Sequence, residues 1–193
     1  MVLLVIFSFQ GNLWAAELKK MTTNIHWLGH DSFRIDGEGV VIYLDPYKLK
    51  EGPKADLILI THEHQDHASP ADVSRIQKPD TVIVTIAKAA EKLSGEIKTV
   101  KPGDELTVKG VRIYHTGDSD FIPEMKRLAP DVALLPVSGI YVMTAEEAVE
   151  AAAAIQPKVA LPMHVGEGIG SLADAQRFKE KAAVPVIVLS IEK

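Results

Sequence analysis

Leu57-Ile58-Leu59-Ile60-Thr61-His62-Glu63-His64-Gln65-Asp66-His67 is the stretch on which the reading of the chain turns. Its first five residues are apolar or β-branched and predict a strand over 57–61. The next six carry three imidazoles and two acids in the pattern His-x-His-x-Asp-His. Packing gives no reason to crowd titratable groups at the mouth of a buried strand, because like groups held close are unfavourable unless something neutralises them. A divalent cation does so. Imidazole nitrogens and a carboxylate oxygen suit zinc, at about 2.0–2.2 Å. His62 and His64, two apart in an extended segment, project to one side and can grip one ion; Asp66 and His67, in the turn that follows, face a second.

Working outward, further strands are expected over 24–28, 32–35, 40–44, 81–85, 105–114, 132–137, 159–163 and 184–191. Several are apolar throughout, as in strands covered on both faces. Ser69-Pro70 caps and opens a helix over 71–76, and Thr144 with Glu147 forms a capping-box pattern for a helix ending at Ile155, before Pro157. Ser171 with Asp174 opens another, to Lys181. Strands alternating with helices imply an α/β layered architecture. Ligands in such folds gather beyond the carboxyl ends of strands, which is where the histidine cluster falls.

At 193 residues the chain is roughly one domain at about 150 per domain. It is read as a single domain over 17–193. Hydrophobic residues at 47% and charged residues at 24% exclude a disordered chain and a polytopic membrane protein. The lack of cysteine removes thiolate metal sites and thiol nucleophiles, so a metal must sit on His, Asp or Glu. A net charge of -5 offers no basic excess for a phosphate backbone, so nucleic acid is not an expected partner and a small-molecule substrate is. Residues 1–16 hold an apolar run too short to span a membrane. They read either as an export signal, which would place the protein in the periplasm or outside the cell, or as a disordered extension of a cytoplasmic protein.

Thr61-His62-x-His64-x-Asp66-His67 resembles the identifying stretch of the metallo-β-lactamase-fold hydrolases. Trp27-Leu28-Gly29-His30, Leu44-Asp45-Pro46, Tyr114-His115-Thr116-Gly117-Asp118 and Leu161-Pro162-Met163-His164 follow in the family's order, and look most like the small branch that includes the ascorbate-6-phosphate lactonase type. The resemblance covers about residues 24–193. It implies a four-layer αββα sandwich, shortened here, with a two-metal site along one edge. It also implies the ligands: His62 and His64 for the first metal, Asp66, His67 and His164 for the second, and Asp118 bridging. One or two Zn2+ are expected, with Mn2+ or Fe as alternatives. Water on zinc has its pKa lowered to about 7, which makes hydroxide available at neutral pH for attack on a small ester, lactone or phosphoester. Asp66 is the residue expected to orient that nucleophile and carry its proton.

The chain departs from the family pattern in one respect. The first metal's third histidine should lie between His67 and the Gly-Asp pair, yet no histidine occurs between His67 and His115, as though an internal stretch before Tyr114 were missing. Three outcomes follow. His115 moves in as a substitute ligand, only the second site binds, or the chain is a catalytically impaired relic of the fold. A shortened sheet would also expose edges, making a homo-oligomer one expected consequence. His30, in a Gly-His-Asp-Ser run, is a further candidate ligand. Asp45 reads as a residue that organises the adjacent loop, or orients a ligand histidine by accepting its other ring proton, rather than one that binds metal directly.

Overall fold

A computed structural model describes residues 20, 22–37, 39–101, 107–108, 111–166 and 168–192. Residues 1–16, the connection at 109–110 and Glu167 lie outside them. The first sheet holds six strands in sequential order: β1 (Ile25–Gly29), β2 (Ser32–Gly37), β3 (Val40–Leu44), β4 (Leu57–Leu59), β5 (Val82–Thr85) and β6 (Glu96–Thr99). β1 to β3 pair antiparallel and β3 to β6 parallel. The second sheet has the order β10-β9-β8-β7, built from β7 (Thr107–Val108), β8 (Val111–His115), β9 (Val132–Pro136) and β10 (Val159–Met163), all parallel except β7.

Alternation along the strands sends side chains into two cores. Ile25, Trp27, Phe33 and Leu44 of the first sheet pack with β9 and β10 of the second, along with α3 (Ala145–Ile155) and α4 (Leu172–Lys181). Ile58 and Ile83, together with Ile60 just past β4, face the other way, onto α1 (Pro70–Ile76) and α2 (Ala87–Ala90). This is the expected αββα layering. β9 and β10 are buried at all five positions each, as their unbroken apolar runs foretold. Ala145, Ala148, Ala151, Ala152 and Ile155 form the buried stripe of α3, and the four alanines let the helix lie close on its sheet. Its capping box forms as read, and the helix ends with Gln156 in the left-handed region at φ 60°.

Three expectations are corrected. The single strand over 105–114 is two antiparallel strands, β7 and β8, with Val108 opposite Val111. The strand over 184–191 does not form a ladder: Val186 bridges Ala160 in one sheet and Ile191 bridges Trp27 in the other, so the segment crosses between the sheets with a single bridge to each. The strand over 57–61 stops at Leu59, although Ile60 N still donates to Val84 O. Among the described residues, no helix is long and apolar enough to cross a membrane.

The topology brings five chain segments to one edge. β3, β4, β8, β9 and β10 run parallel within their sheets and release Asp45, His62, Asp118, Ser138 and His164 just beyond their carboxyl ends. The β1–β2 turn, with His30 and Asp31, lies at the same end because Phe33 pairs with Leu44.

Candidate metal centre

Asp118 sits between two sets of histidines. On one side its Oδ2 is 3.8 Å from His62 Nε2, and His62 Nε2 is 3.0 Å from His64 Nδ1. On the other its Oδ1 is 3.2 Å from His67 Nε2 and 3.5 Å from His164 Nε2. His30 Nε2 lies 3.4 Å from Asp66 Oδ2. Four groups of three donors converge to within 4.8 Å: His62, His64 and Asp118; Asp31, His67 and Asp118; His30, Asp66 and His67; and His30, Asp31 and His164. Residues spread over more than a hundred positions of sequence thus share one small volume.

Local folding explains each placement. The turn expected at Asp66 and His67 forms, since His67 N and Ala68 N both donate to His64 O, while 62–64 bend instead of continuing the strand. Its shape is fixed from behind: Asp45, fully buried, accepts from Thr61 N at 2.7 Å and Thr61 Oγ1 at 2.6 Å, and pairs with His67 Nδ1 at 2.8 Å. That is the orienting role the sequence assigned to Asp45, and it leaves His67 Nε2 free to face the centre. Outside, Lys88 of α2 pairs with the Glu63 carboxylate and Lys92 Nζ donates to Glu63 O at 2.8 Å, so Glu63 is turned away from the cluster. Gly117, at φ 58°, admits Asp118, because a Cβ there would meet Thr61 Cβ and Oγ1 at 3.0 Å.

The carbonyl of His30 accepts from Trp27 Nε1 at 2.8 Å and from His164 N at 3.4 Å, which ties the β1–β2 turn to the core and to β10. Ser138 Oγ lies 2.9 Å from His164 Nδ1 and orients that ring. His30, Asp45 and His164 all have positive φ, at 52°, 41° and 57°. Non-glycine residues rarely adopt it, at about 1–3 kcal/mol each, and such strain clusters at functional sites.

Charge follows the geometry. Burial alone would depress the His67 ring, but the carboxylates of Asp118, Asp45 and Asp31 outweigh it and lift its pKa to about 11. Burial would raise the Asp118 carboxyl, yet His67 and His164 hold it well below the usual carboxylate range. Asp45 is lowered for the same reason, its burial outweighed first by His67. Burial, followed by the neighbouring His67 charge, pushes His62 down.

The donors fit a metal. His67 Nε2 and Asp118 Oδ1 are buried and make no hydrogen bond, and the same holds for His30 Nδ1 and both carboxylate oxygens of Asp31. Buried polar atoms are nearly always paired, so buried ring nitrogens and carboxylate oxygens that face one another without a hydrogen bond are what a cation would satisfy, the His67 ring giving up its proton as the ion takes its place.

His115 is the exception among the candidate ligands. Its Nδ1 accepts from Gly117 N at 3.0 Å and its Nε2 lies 3.1 Å from the carbonyl oxygen of Asp31, so both nitrogens are engaged and it joins none of the four groups. It braces the turn instead of replacing the absent histidine. Asp31 was missed altogether, because an Asp after Gly-His has no local signal that distinguishes a buried carboxylate from a turn residue.

Fold and site together define a metal-dependent hydrolase of the metallo-β-lactamase fold. The beta-lactamase superfamily domain matches residues 24–164. The UPF0173 metal-dependent hydrolase of Thermoplasma acidophilum is 31% identical to this chain, across 88% of it and 96% of its own length. That of Methanopyrus kandleri is 28% identical, across 87% and 96%. Among solved structures, a candidate metal-dependent hydrolase from Parabacteroides distasonis matches with a TM-score of 0.73 at 30% identity, covering 87% of this chain and 93% of that one. Igni18, a metallo hydrolase from Ignicoccus hospitalis, shares the fold with a TM-score of 0.71 at 23% identity, over 88% and 95%. The chain belongs to the UPF0173 metal-dependent hydrolase family.

Proposed function

We propose that this hydrolase holds one or two zinc ions and cleaves a small ester, lactone or phosphoester. The observation that carries this reading is the convergence of two donor sets on the two oxygens of Asp118. His67, Asp66 and His164 would hold an inner ion and His62 with His64 an outer one, Asp118 lying between. A bound divalent metal supplies Lewis acidity, which lowers the pKa of a water to about 7 and polarises the scissile carbonyl or phosphoryl group.

The chain's own residues do the rest. Asp66 is partly open to solvent, with a side chain 39% exposed and its carboxylate anchored near His30 Nε2. It accepts the proton of the attacking water as the water oxygen bonds to the acyl carbon or phosphorus. It then returns that proton to the leaving oxygen as the old bond breaks. Asp45 and Ser138 keep the His67 and His164 rings from swinging. Tyr141, 92% exposed, follows Ser138 in a loop that Met143 N ties to Ser119 O, and offers an apolar face to a substrate's organic part.

A second reading, an impaired enzyme, is favoured by the outer group, which has His62, His64 and Asp118 and no third histidine among the described residues. Chain length supports it: the aligned span with the Thermoplasma acidophilum relative is 218 residues, whereas 88% of this chain is about 170. Purified protein loaded with zinc and assayed on p-nitrophenyl esters, simple lactones and phosphodiesters tests the first reading. Turnover of one class that a chelator abolishes supports it, and metal-loaded protein inactive on all three favours the second.

A further inference from the structure

We propose that Asp31 is itself a ligand of the inner metal position, a carboxylate that makes this centre richer in oxygen donors than the histidine pattern alone implies. This rests on the metal-site reading above and adds to it.

Three buried aspartates near the site show why. Asp45 has both oxygens satisfied, by Thr61 N, Thr61 Oγ1 and His67 Nδ1. Asp72 is satisfied too, accepting from Lys48 N at 2.9 Å, Leu49 N at 3.0 Å and Ser69 Oγ at 2.7 Å. Both have the surroundings expected of carboxylates that serve the fold. Asp31 is 0% exposed, and neither of its oxygens has a hydrogen-bond partner. A buried carboxylate without donors is strongly unfavourable unless it is paired, protonated or bound to a cation.

What faces Asp31 identifies the missing partner. Its Oδ2 is 3.3 Å from His30 Nδ1 and 3.8 Å from His67 Nε2, the nitrogen that also lies 3.2 Å from Asp118 Oδ1. His67 Nδ1 is already committed to Asp45, so its Nε2 alone is shared between two carboxylates. His30 Nδ1, though close, makes no hydrogen bond to Asp31, and one ring nitrogen of His67 cannot satisfy both carboxylates, whereas a divalent ion among Asp31, His67 and Asp118 can. Asp31 also belongs to the group with His30 and His164, which places its carboxylate between both inner sets. Its backbone is held for this purpose by His115 Nε2 against its carbonyl and by the left-handed His30 before it. Adding a carboxylate to imidazoles shifts preference toward harder ions, so Mn2+ gains relative to Zn2+.

The test compares wild type with Asp31→Asn and with Asp80→Asn at an exposed position, each stripped with chelator. Zn2+ and Mn2+ binding is followed by calorimetry and elemental analysis, and melting is measured with and without metal. Asp31→Asn should weaken inner-site binding by more than the roughly 10–100-fold that follows loss of a hydrogen bond behind a ligand. It should lose more Mn2+ than Zn2+ affinity, and its metal-free form should melt higher than wild type, because an uncompensated charge is gone. Asp80→Asn should match wild type in both. Unchanged affinity in Asp31→Asn overturns the proposal, as does a metal-free variant that melts lower or fails to fold. Wild type that binds no metal overturns the functional reading itself, a result distinct from equal binding by wild type and variant.

Discussion

The inner and outer halves of the centre differ in how they are built. The two inner histidines are buried and each ring is held from behind, His67 by Asp45 and His164 by Ser138. The outer half sits at the mouth, with His64 exposed and its ring bonded to His62 rather than to a supporting residue. Preorganised ligands bind more tightly because their orientation is fixed before the ion arrives. The inner position should therefore fill first, and the outer should respond weakly to changes that leave the inner intact.

Substituting the residue common to both halves gives the largest effect. Asp118→Asn should abolish tight binding at both positions and reduce hydrolysis by about a hundred- to a thousandfold, the scale set by losing a principal electrostatic group. Retention of one tightly held ion per chain would show that the two halves do not depend on this carboxylate. Asp45→Asn comes next. It leaves every proposed ligand in place, but the His67 ring loses its charged partner, so inner affinity should fall about 10–100-fold while outer affinity stays. Separate isotherms at the two positions would sharpen or erase the distinction. His64→Ala should do least: the inner ion stays, metal content drops only by what the outer position held, and stability moves within about 0.5 kcal/mol, as for an exposed substitution. Loss of both ions would contradict the division drawn here.

Much of this centre was readable because its densest part is local. Thr61 to His67 carries four candidate donors within one turn, and strand-then-turn placement puts them at the sheet edge. Asp118 and His164 were legible as strand-end residues, and Asp45 as a residue behind a ligand. Asp31 was not, since the burial of one carboxylate is decided by β10, β8 and the histidine turn closing over it. His115 shows the converse, a histidine near the motif whose two nitrogens the backbone has already taken. In the fold, β6 escaped notice because Glu96-Ile-Lys-Thr is a polar edge strand, with its charges exposed as edges require. Residues 184–191 looked like a ladder by composition, but they cross from one sheet to the other.

Elemental analysis of wild-type protein, stripped and then equilibrated with zinc, coupled to its melting curve, bears most directly on the claim that these side chains form one metal centre. At least one zinc per chain, retained through buffer exchange, with melting displaced upward by several degrees, is the predicted result. Protein that emerges without zinc and melts at the same temperature whether or not the metal was offered would contradict it.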